Sequence, residues 1–346
     1  MKVLLRIFVF LLIVGVILIG VGIAGGMDAS RISSTFNQNE AYGEPIHYTE
    51  SEPIEKLVID VAVKHVDVSY TDSDSLKLTY YSHTDDIWEV KRDLDVLTIS
   101  QTQKVKFVIF GFNFGFVDRE LLTLKVEIPQ HWVLDYDLTT NTGDIKMIGK
   151  FLDPIFMSRL LAKTISIESD TGDVEVTYLS TPSLELKTDT GDIAILNMLV
   201  IENIKATNST GVIHFEDSYA QEVDIFGSTG RIEIENLHVL SLNIDSDTGQ
   251  VIIKDTEVDS LIRVRLSTGR IGLFDVSAAT YDLKTNTGDV EVELISLLDT
   301  RFDLSTNTGK IMVDGINQGD RHVTTTGSIS INAETETGNI YILVRD

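Results

Sequence analysis

The chain has 346 residues, with 53 acidic against 28 basic side chains and a formal net charge of −25. That balance supplies no Lys/Arg cluster of the kind a phosphate-binding face requires, so nucleic acid is excluded as a partner. The absence of cysteine excludes disulfides, thiolate metal sites, a Cys nucleophile and an acylated lipoprotein N-terminus.

Residues 7–27 carry no charged or polar side chain and follow Lys2 and Arg6. About 20 apolar residues span a bilayer, and basic residues on the N-terminal side keep that end in the cytoplasm. The expectation is a retained transmembrane anchor over 1–27 with the remainder outside the cell membrane. The alternative is a cleaved signal peptide with Gly22-Ile23-Ala24 as its small-x-small site. Residues 28–52 are polar and aperiodic, which predicts a linker.

Residues 53–130 read as a β-rich N-terminal cap. Leu57–Val61, Val66–Val68, Leu76–Tyr80, Val96–Ile99 and Leu122–Ile128 alternate in and out as strands do. A stacked sheet needs such cover, because an open end is an unpaired edge. Within the cap, Phe110, Phe112, Phe114 and Phe116 alternate with Ile109, Gly111, Asn113 and Gly115. This is either a hairpin packing its aromatic face on the cap or a loop that meets a partner or the membrane interface.

From 131 to 346 the chain is organised by Thr-Gly pairs, with glycines at 143, 172, 191, 211, 230, 249, 269, 288, 309, 327 and 338. Most steps are 19 or 20 residues, the period of a solenoid whose turns bury their apolar sides only by stacking. Six residues before each Thr stand Ile165, Leu184, Ile204, Val223, Leu242, Ile262, Tyr281 and Phe302, and apolar residues also recur two and four after each Gly. Spacing by two with β-branched residues predicts two short strands flanking a Thr-Gly corner, followed by a looser third segment such as 236–241. Gly suits the corner because it takes positive φ and permits close approach of stacked backbones. The fold class expected is all-β: a parallel β-solenoid of about ten coils with an irregular β cap at its N-terminal end, preceded by one transmembrane helix. The long step after Gly143 marks an insertion at 149–163. There Asp153-Pro154 begins a short apolar helix containing Phe156 and Leu160, which lies against the solenoid flank or on the bilayer surface. The short final step, from Gly327 to Gly338, predicts a compressed turn that blunts the far end.

Three features bear on chemistry. Asp-Thr-Gly occurs at 170–172, 189–191 and 247–249. A protease needs two such carboxylates facing each other, whereas here Asn, Ser, Thr or Glu fills the equivalent place in other turns, so the Asp reads as a turn residue. Asp170, Asp173, Asp189 and Asp192 concentrate acid on adjacent turns. They form either a solvated stripe or a site for a hard cation such as Ca2+, and no other cofactor is expected. Arg231, Gln250, Arg270 and Lys310 follow in the post-glycine column, and with the acids they supply the residue types of a carbohydrate-active β-helix enzyme. No motif fixes them in a catalytic geometry. The Thr-x-Thr pairs, such as Thr188 and Thr190, continue the parity of inward positions and predict an internal hydroxyl ladder.

The N-terminal span, the Leu57-to-Val68 strands, Val126-Glu127-Ile128-Pro129 and the repeated Leu-x-x-x-Thr-Gly-Asp-Ile-x-Ile pattern together resemble the LiaG-like family of bacterial adhesin-type domains over roughly residues 54–344. The resemblance implies a β-solenoid displayed on the outer face of the cytoplasmic membrane, with no catalytic residues to carry over. The expected function is therefore non-enzymatic binding and presentation at the cell surface, with cell-wall glycan or membrane proteins as partners. The alternatives are an accessory to a membrane envelope-stress sensor, working through 107–117 and 149–163, and a carbohydrate-active enzyme.

Overall fold

The computed structural model describes residues 38–104, 117–149 and 161–345. Apart from two 3-10 turns, Gln38–Ala41 and Arg119–Leu122, the regular structure among the described residues is β. None of their helices is long and apolar enough to cross a membrane. The apolar segment 1–27, the four phenylalanines at 110–116, and Phe156 and Leu160 lie outside the described residues.

The strands in order are β1 (Ile46–Glu50), β2 (Lys56–Val63), β3 (His65–Thr71), β4 (Leu76–Tyr80), β5 (Asp86–Asp93), β6 (Val96–Gln103) and β7 (Thr123–Pro129). The repeat region continues with β8 (Leu134–Thr142), β9 (Ile145–Ile148), β10 (Ala162–Thr171), β11 (Val174–Thr177), β12 (Ser180–Thr190), β13 (Ile193–Leu196) and β14 (Leu199–Thr287). It ends with β15 (Val290–Leu294), β16 (Thr300–Thr308), β17 (Ile311–Val313), β18 (Ile316–Gly319), β19 (Arg321–Val323), β20 (Ile329–Thr337) and β21 (Ile340–Val344).

Two parallel ladders run through the repeats. Before the corner, β8 pairs with β10, β10 with β12 and β12 with β14, placing Tyr136, Ile165, Leu184 and Ile204 in one row. After it, β9, β11, β13 and β14 align Ile145, Val174, Ile193 and Ile213. Both rows are buried, and the core is a stack of such rows. The 89 residues of β14 would reach on the order of 290 Å if straight. They coil instead, as their glycines show. A Cβ on Gly211, Gly230, Gly249 or Gly269 would lie 2.0, 1.8, 1.6 or 1.7 Å from the carbonyl oxygen of the preceding corner glycine. With φ between 144° and 154° at these four residues, the corner demands glycine twice over, by conformation and by space.

A second corner follows six residues later. Tyr178, Asn197, Asp217, Asn236, Asp255 and Asp275 all have left-handed backbones, φ 46–56°. Asn and Asp tolerate this region better than other side chains because they hydrogen-bond locally. The segment expected to be looser, 236–241, thus begins at a defined corner and stays extended.

At both ends the spatial order of turns departs from chain order. The β2–β3 turn lies between the β8–β9 turn and the strands β6 and β7. The β20–β21 turn lies between the last turn of β14 with β15 and the turn of β16 with β17. Gly338 accordingly stacks on Gly288, and Gly309 on Gly338, while Gly327 packs against Thr300 and Arg301 outside the column. The short final step is therefore no compressed turn. It reflects a Thr-Gly pair, at 326–327, that is not a corner. Each outermost turn is flanked by antiparallel strands: β5 on β6, β4 on β7 and β1 on β4 at one end, β19 on β16 and β18 on β17 at the other. These pairings satisfy backbone groups that a parallel stack leaves open. They also change two expectations about the N-terminal region. The stretch expected as linker contains β1, and β2–β3 is a full member of the ladders, because its alternation matches that of the repeats even though it lacks the Thr-Gly corner.

Candidate functional site

The Thr-Gly-Asp repeat fastens one turn to the next. In the turns cornered at Gly143, Gly172 and Gly191, the residue three before the glycine is buried and donates to the preceding corner's carbonyl. Thr140 Oγ1 reaches the Lys64 carbonyl at 3.0 Å, Ser169 Oγ that of Gly143 at 3.1 Å and Thr188 Oγ1 that of Gly172 at 3.0 Å. Asn208 Nδ2 does the same to Gly191 at 2.8 Å. The hydroxyl ladder expected from the sequence is internal at the first member of each Thr-x-Thr pair, where its acceptor is the corner itself. The second members Thr142, Thr190, Thr287 and Thr308 instead stand exposed beside the corner glycine.

The residue after the glycine braces in the opposite direction. Asp144 Oδ1 accepts the backbone N–H of Asp173 at 3.0 Å, Asp173 Oδ1 that of Asp192 at 2.8 Å, and Asp192 Oδ1 that of Val212 at 2.7 Å. Burial opposes ionisation of Asp144, but the Asp173 N–H and the Arg119 guanidinium outweigh it and hold its carboxyl below the usual range. Of the four carboxylates considered for a cation, Asp173 and Asp192 each commit one oxygen to this brace, while Asp170 and Asp189 stand exposed two residues before their corner glycines. Asp170 and Asp189 share one column on adjacent turns, and Asp247 stands in the same column three turns further on, after Ser209 and Ser228.

From Gly230 to Gly269 both braces disappear. The equivalent position holds Gly227 and Ser246, both half-buried, and the buried Leu266, and the post-glycine column holds Arg231, Gln250 and Arg270. Arg231 pairs with Glu233 at 2.9 Å and Arg270 with Glu291. Over these turns the outward side of the pre-corner strands forms a groove of about 380 Å³, lined by Phe226, Asp245, Asp247, Arg265, Lys284 and Asn286 among others. A Cβ on Gly227 would come to 3.0 Å from Ser246 Oγ, so the absence of a side chain there leaves room for Ser246 on the next turn. Phe226 is 37% exposed in a column whose other members, Glu168, Lys187, Thr207 and Asp245, are polar or charged. Asp245 and Asp247 have no hydrogen-bond or ion-pair partner among the described residues.

Arg265 Nη1 donates to the Asp282 carbonyl at 2.9 Å and pairs with the Asp282 carboxylate. Burial raises the Asp282 carboxyl, but Arg265 and Arg263 prevail and hold it below the usual range. Sharing Arg265 and Lys284, a second depression of about 450 Å³ continues the flank past Asp303, Arg321 and Glu334. Its far wall comes from β16, β19 and β20, so the exchanged order of the last turns builds it. An exposed aromatic ring beside free carboxylates, a guanidinium fork and an amide is chemistry for a ligand with apolar faces and many hydroxyls. Sequence reading singled out neither the groove nor the second corner. Phe226 as the aromatic member of a polar column, and Asn or Asp six residues after the glycines from Gly191 to Gly269, were the available signals.

The Toastrack DUF4097 family model matches residues 54–199 and 183–343. Among curated proteins none matches the chain. Among solved structures, a putative adhesin from Parabacteroides distasonis ATCC 8503 is similar over 86% of this chain and 97% of its own, at 13% identity and a TM-score of 0.44. A putative adhesin from Bacteroides fragilis NCTC 9343 is similar over 88% and 99%, at 13% identity and a TM-score of 0.44. A putative lipid binding protein, also from Parabacteroides distasonis ATCC 8503, is similar over 88% and 98%, at 11% identity and a TM-score of 0.40.

Proposed function

We propose that this chain, which belongs to the Toastrack DUF4097 family, acts by binding and presentation, without catalysis. In this reading residues 1–27 anchor it in the cytoplasmic membrane and the stacked sheet stands on the outer side, a LiaG-like placement. The ligand is a hydroxyl-rich glycan of the cell envelope, held along the flank from Phe226 to Asn286. The observation that supports the reading most is the groove itself: an exposed phenylalanine beside two unpartnered carboxylates, where the corner braces of neighbouring turns are missing. A rigid wall carrying pre-positioned groups loses little entropy when it binds.

The test uses the full-length chain in detergent micelles and soluble cell-wall polysaccharide fragments, with affinity read by titration. Phe226→Ala is expected to weaken binding about tenfold, the loss of one aromatic contact, and Asp247→Asn to weaken it further. Binding that both variants leave unchanged, or that requires residues 105–116 or 150–160 instead, sinks the flank as the site. Release of shortened glycan by the native chain would contradict the non-catalytic reading.

A further inference from the structure

On the third face of the same turns, away from the groove, three potential metal ligands meet. Tyr219, His238 and Glu257 stand eight residues after Gly211, Gly230 and Gly249, so they stack on successive turns. Asp259 lies two residues beyond Glu257 and, with the strand period of two, points to the same side. One donor atom from each of His238, Glu257 and Asp259 falls within 4.8 Å of the others. Already His238 Nδ1 sits 3.0 Å from a Glu257 oxygen. The Tyr219 ring stacks on the imidazole at 4.4 Å between centroids and 13° between planes, which fixes the orientation of the histidine. Asp259 has no hydrogen-bond or ion-pair partner among the described residues.

We propose that His238, Glu257 and Asp259 bind a zinc-class divalent cation. One imidazole nitrogen with two carboxylate oxygens suits Zn2+ and its transition-metal neighbours, whereas Ca2+ and Mg2+ favour all-oxygen sets. Zinc–ligand bonds of about 2.0–2.2 Å require the three donors to draw somewhat closer together. Glu257 and Asp259 are exposed and have the rotamer freedom to do so. The ion ties two adjacent turns in the stretch where the corner braces are missing, and it relieves the repulsion between two neighbouring carboxylates. A three-ligand set also leaves a coordination position open to an outside donor.

Calorimetric titration of ZnCl2 into the full-length chain in micelles, stripped beforehand with chelator, tests the site. One equivalent is expected to bind. His238→Asn and Asp259→Asn should each weaken it by about tenfold or more, because each removes a ligand from a set of three. Both positions are at the surface, and circular dichroism checks that the variants fold. His214→Asn, which alters a His–Glu pair with no third ligand among the described residues, should bind zinc like the parent, and excess CaCl2 should not displace the zinc. Absence of zinc binding, or full-strength binding by either His238→Asn or Asp259→Asn, overturns the proposal.

Discussion

The two ends of the stack and its middle are held by different means. Toward each end the turns are fastened corner to corner. Thr140, Ser169 and Thr188 brace the N-terminal side, and Thr285, Thr335 and Thr306 bond to Gly269, Gly288 and Gly338 on the other. Asp289 accepts the Asn339 N–H at 2.7 Å and Asn339 accepts that of Lys310 at 3.1 Å, repeating the Asp144–Asp173–Asp192 column. Between Gly230 and Gly269 the corner braces are missing. Besides apolar rows, ladder hydrogen bonds and the glycine corner, the turns are linked there by side-chain bonds elsewhere on the coil, such as Leu237 N–H to Thr256 Oγ1 at 3.4 Å and Asn243 Nδ2 to Asp224 Oδ1 at 3.3 Å. Positions that serve as braces elsewhere are released there, and that stretch carries the groove and the His238 cluster. Fastening at the ends leaves the middle free to present side chains.

The sharpest way to break this contrast is to remove the turn that the exchanged order places inside the C-terminal end. Deleting residues 324–346 takes away β20 and β21, which separate β14 and β15 from β16 and β17. Residues 300–313 then lose their parallel partner, so their amide protection against hydrogen exchange should collapse along with that of the deleted turn. Protection in the middle turns should persist, because solenoid turns draw stability mainly from their neighbours. If 300–313 stayed protected in the truncated chain, the turns would be stacked in chain order and the end described here would be wrong.

Next in size is the corner, which ends and middle share. A valine at Gly230 would force its Cβ to 1.8 Å from the Gly211 carbonyl at φ 154°, and one at Gly191 would meet the Gly172 carbonyl at 2.1 Å and φ 147°. Backbone strain and overpacking together should cost about 3 kcal/mol or more in each. Matching losses in denaturant melts would show that the corner acts independently of the braces. An unaffected Gly230→Val would show that the middle turns are spaced differently.

The regular part of this architecture was legible in the sequence because it is local. The 19- to 20-residue Thr-Gly period, the inward rows from Ile165 to Phe302 and the internal position of Thr188 all follow from strand parity. The exchanged order at the ends was not legible. β20 carries the same alternation as any repeat strand, and nothing in Ile329–Thr337 says which neighbour it will take. The buried ion pair of Lys64 with Asp86, 3.2 Å apart with both side chains almost wholly enclosed, was hidden for the same reason. Lys64 stands at a corner that lacks glycine, and Asp86 reaches it from β5. The inward side of that strand mixes Trp88 and Val90 with Asp86 and Arg92 and its outward side carries Ile87, so it shows no apolar alternation in the sequence. The groove is a different case. Phe226 was visible in its column, but its meaning depends on Gly227 and Leu266 taking the place of hydroxyls, which only the stacked structure reveals.

The smallest expected effect lies at the first member of the brace column, where the acceptor is titratable near neutrality. His65 stands where later turns have aspartate, and its Nδ1 accepts the Asp144 N–H at 2.9 Å. That bond requires the neutral ring, since a protonated Nδ1 becomes a donor. Burial and the Arg119 guanidinium lower the His65 pKa below 6.5, outweighing the nearby Asp144 and Asp67 carboxylates, which favour the proton. The folded chain therefore binds this proton less readily than the unfolded chain. Stability from His65 is full above pH 6.5, falls as the pH drops toward the lowered folded-state value, and changes no further below it. The loss is about 1 kcal/mol, the worth of one hydrogen bond. It precedes the loss at Asp144, whose carboxyl is held below its usual value of 3.8 and so titrates at lower pH. His65→Asn keeps an acceptor that does not titrate, so its stability should stay level through the interval just below pH 6.5 in which the parent weakens. Parallel pH profiles for the two proteins would show that the end nearest β2 and β3 is fastened without this bond, and that the brace column begins at Asp144.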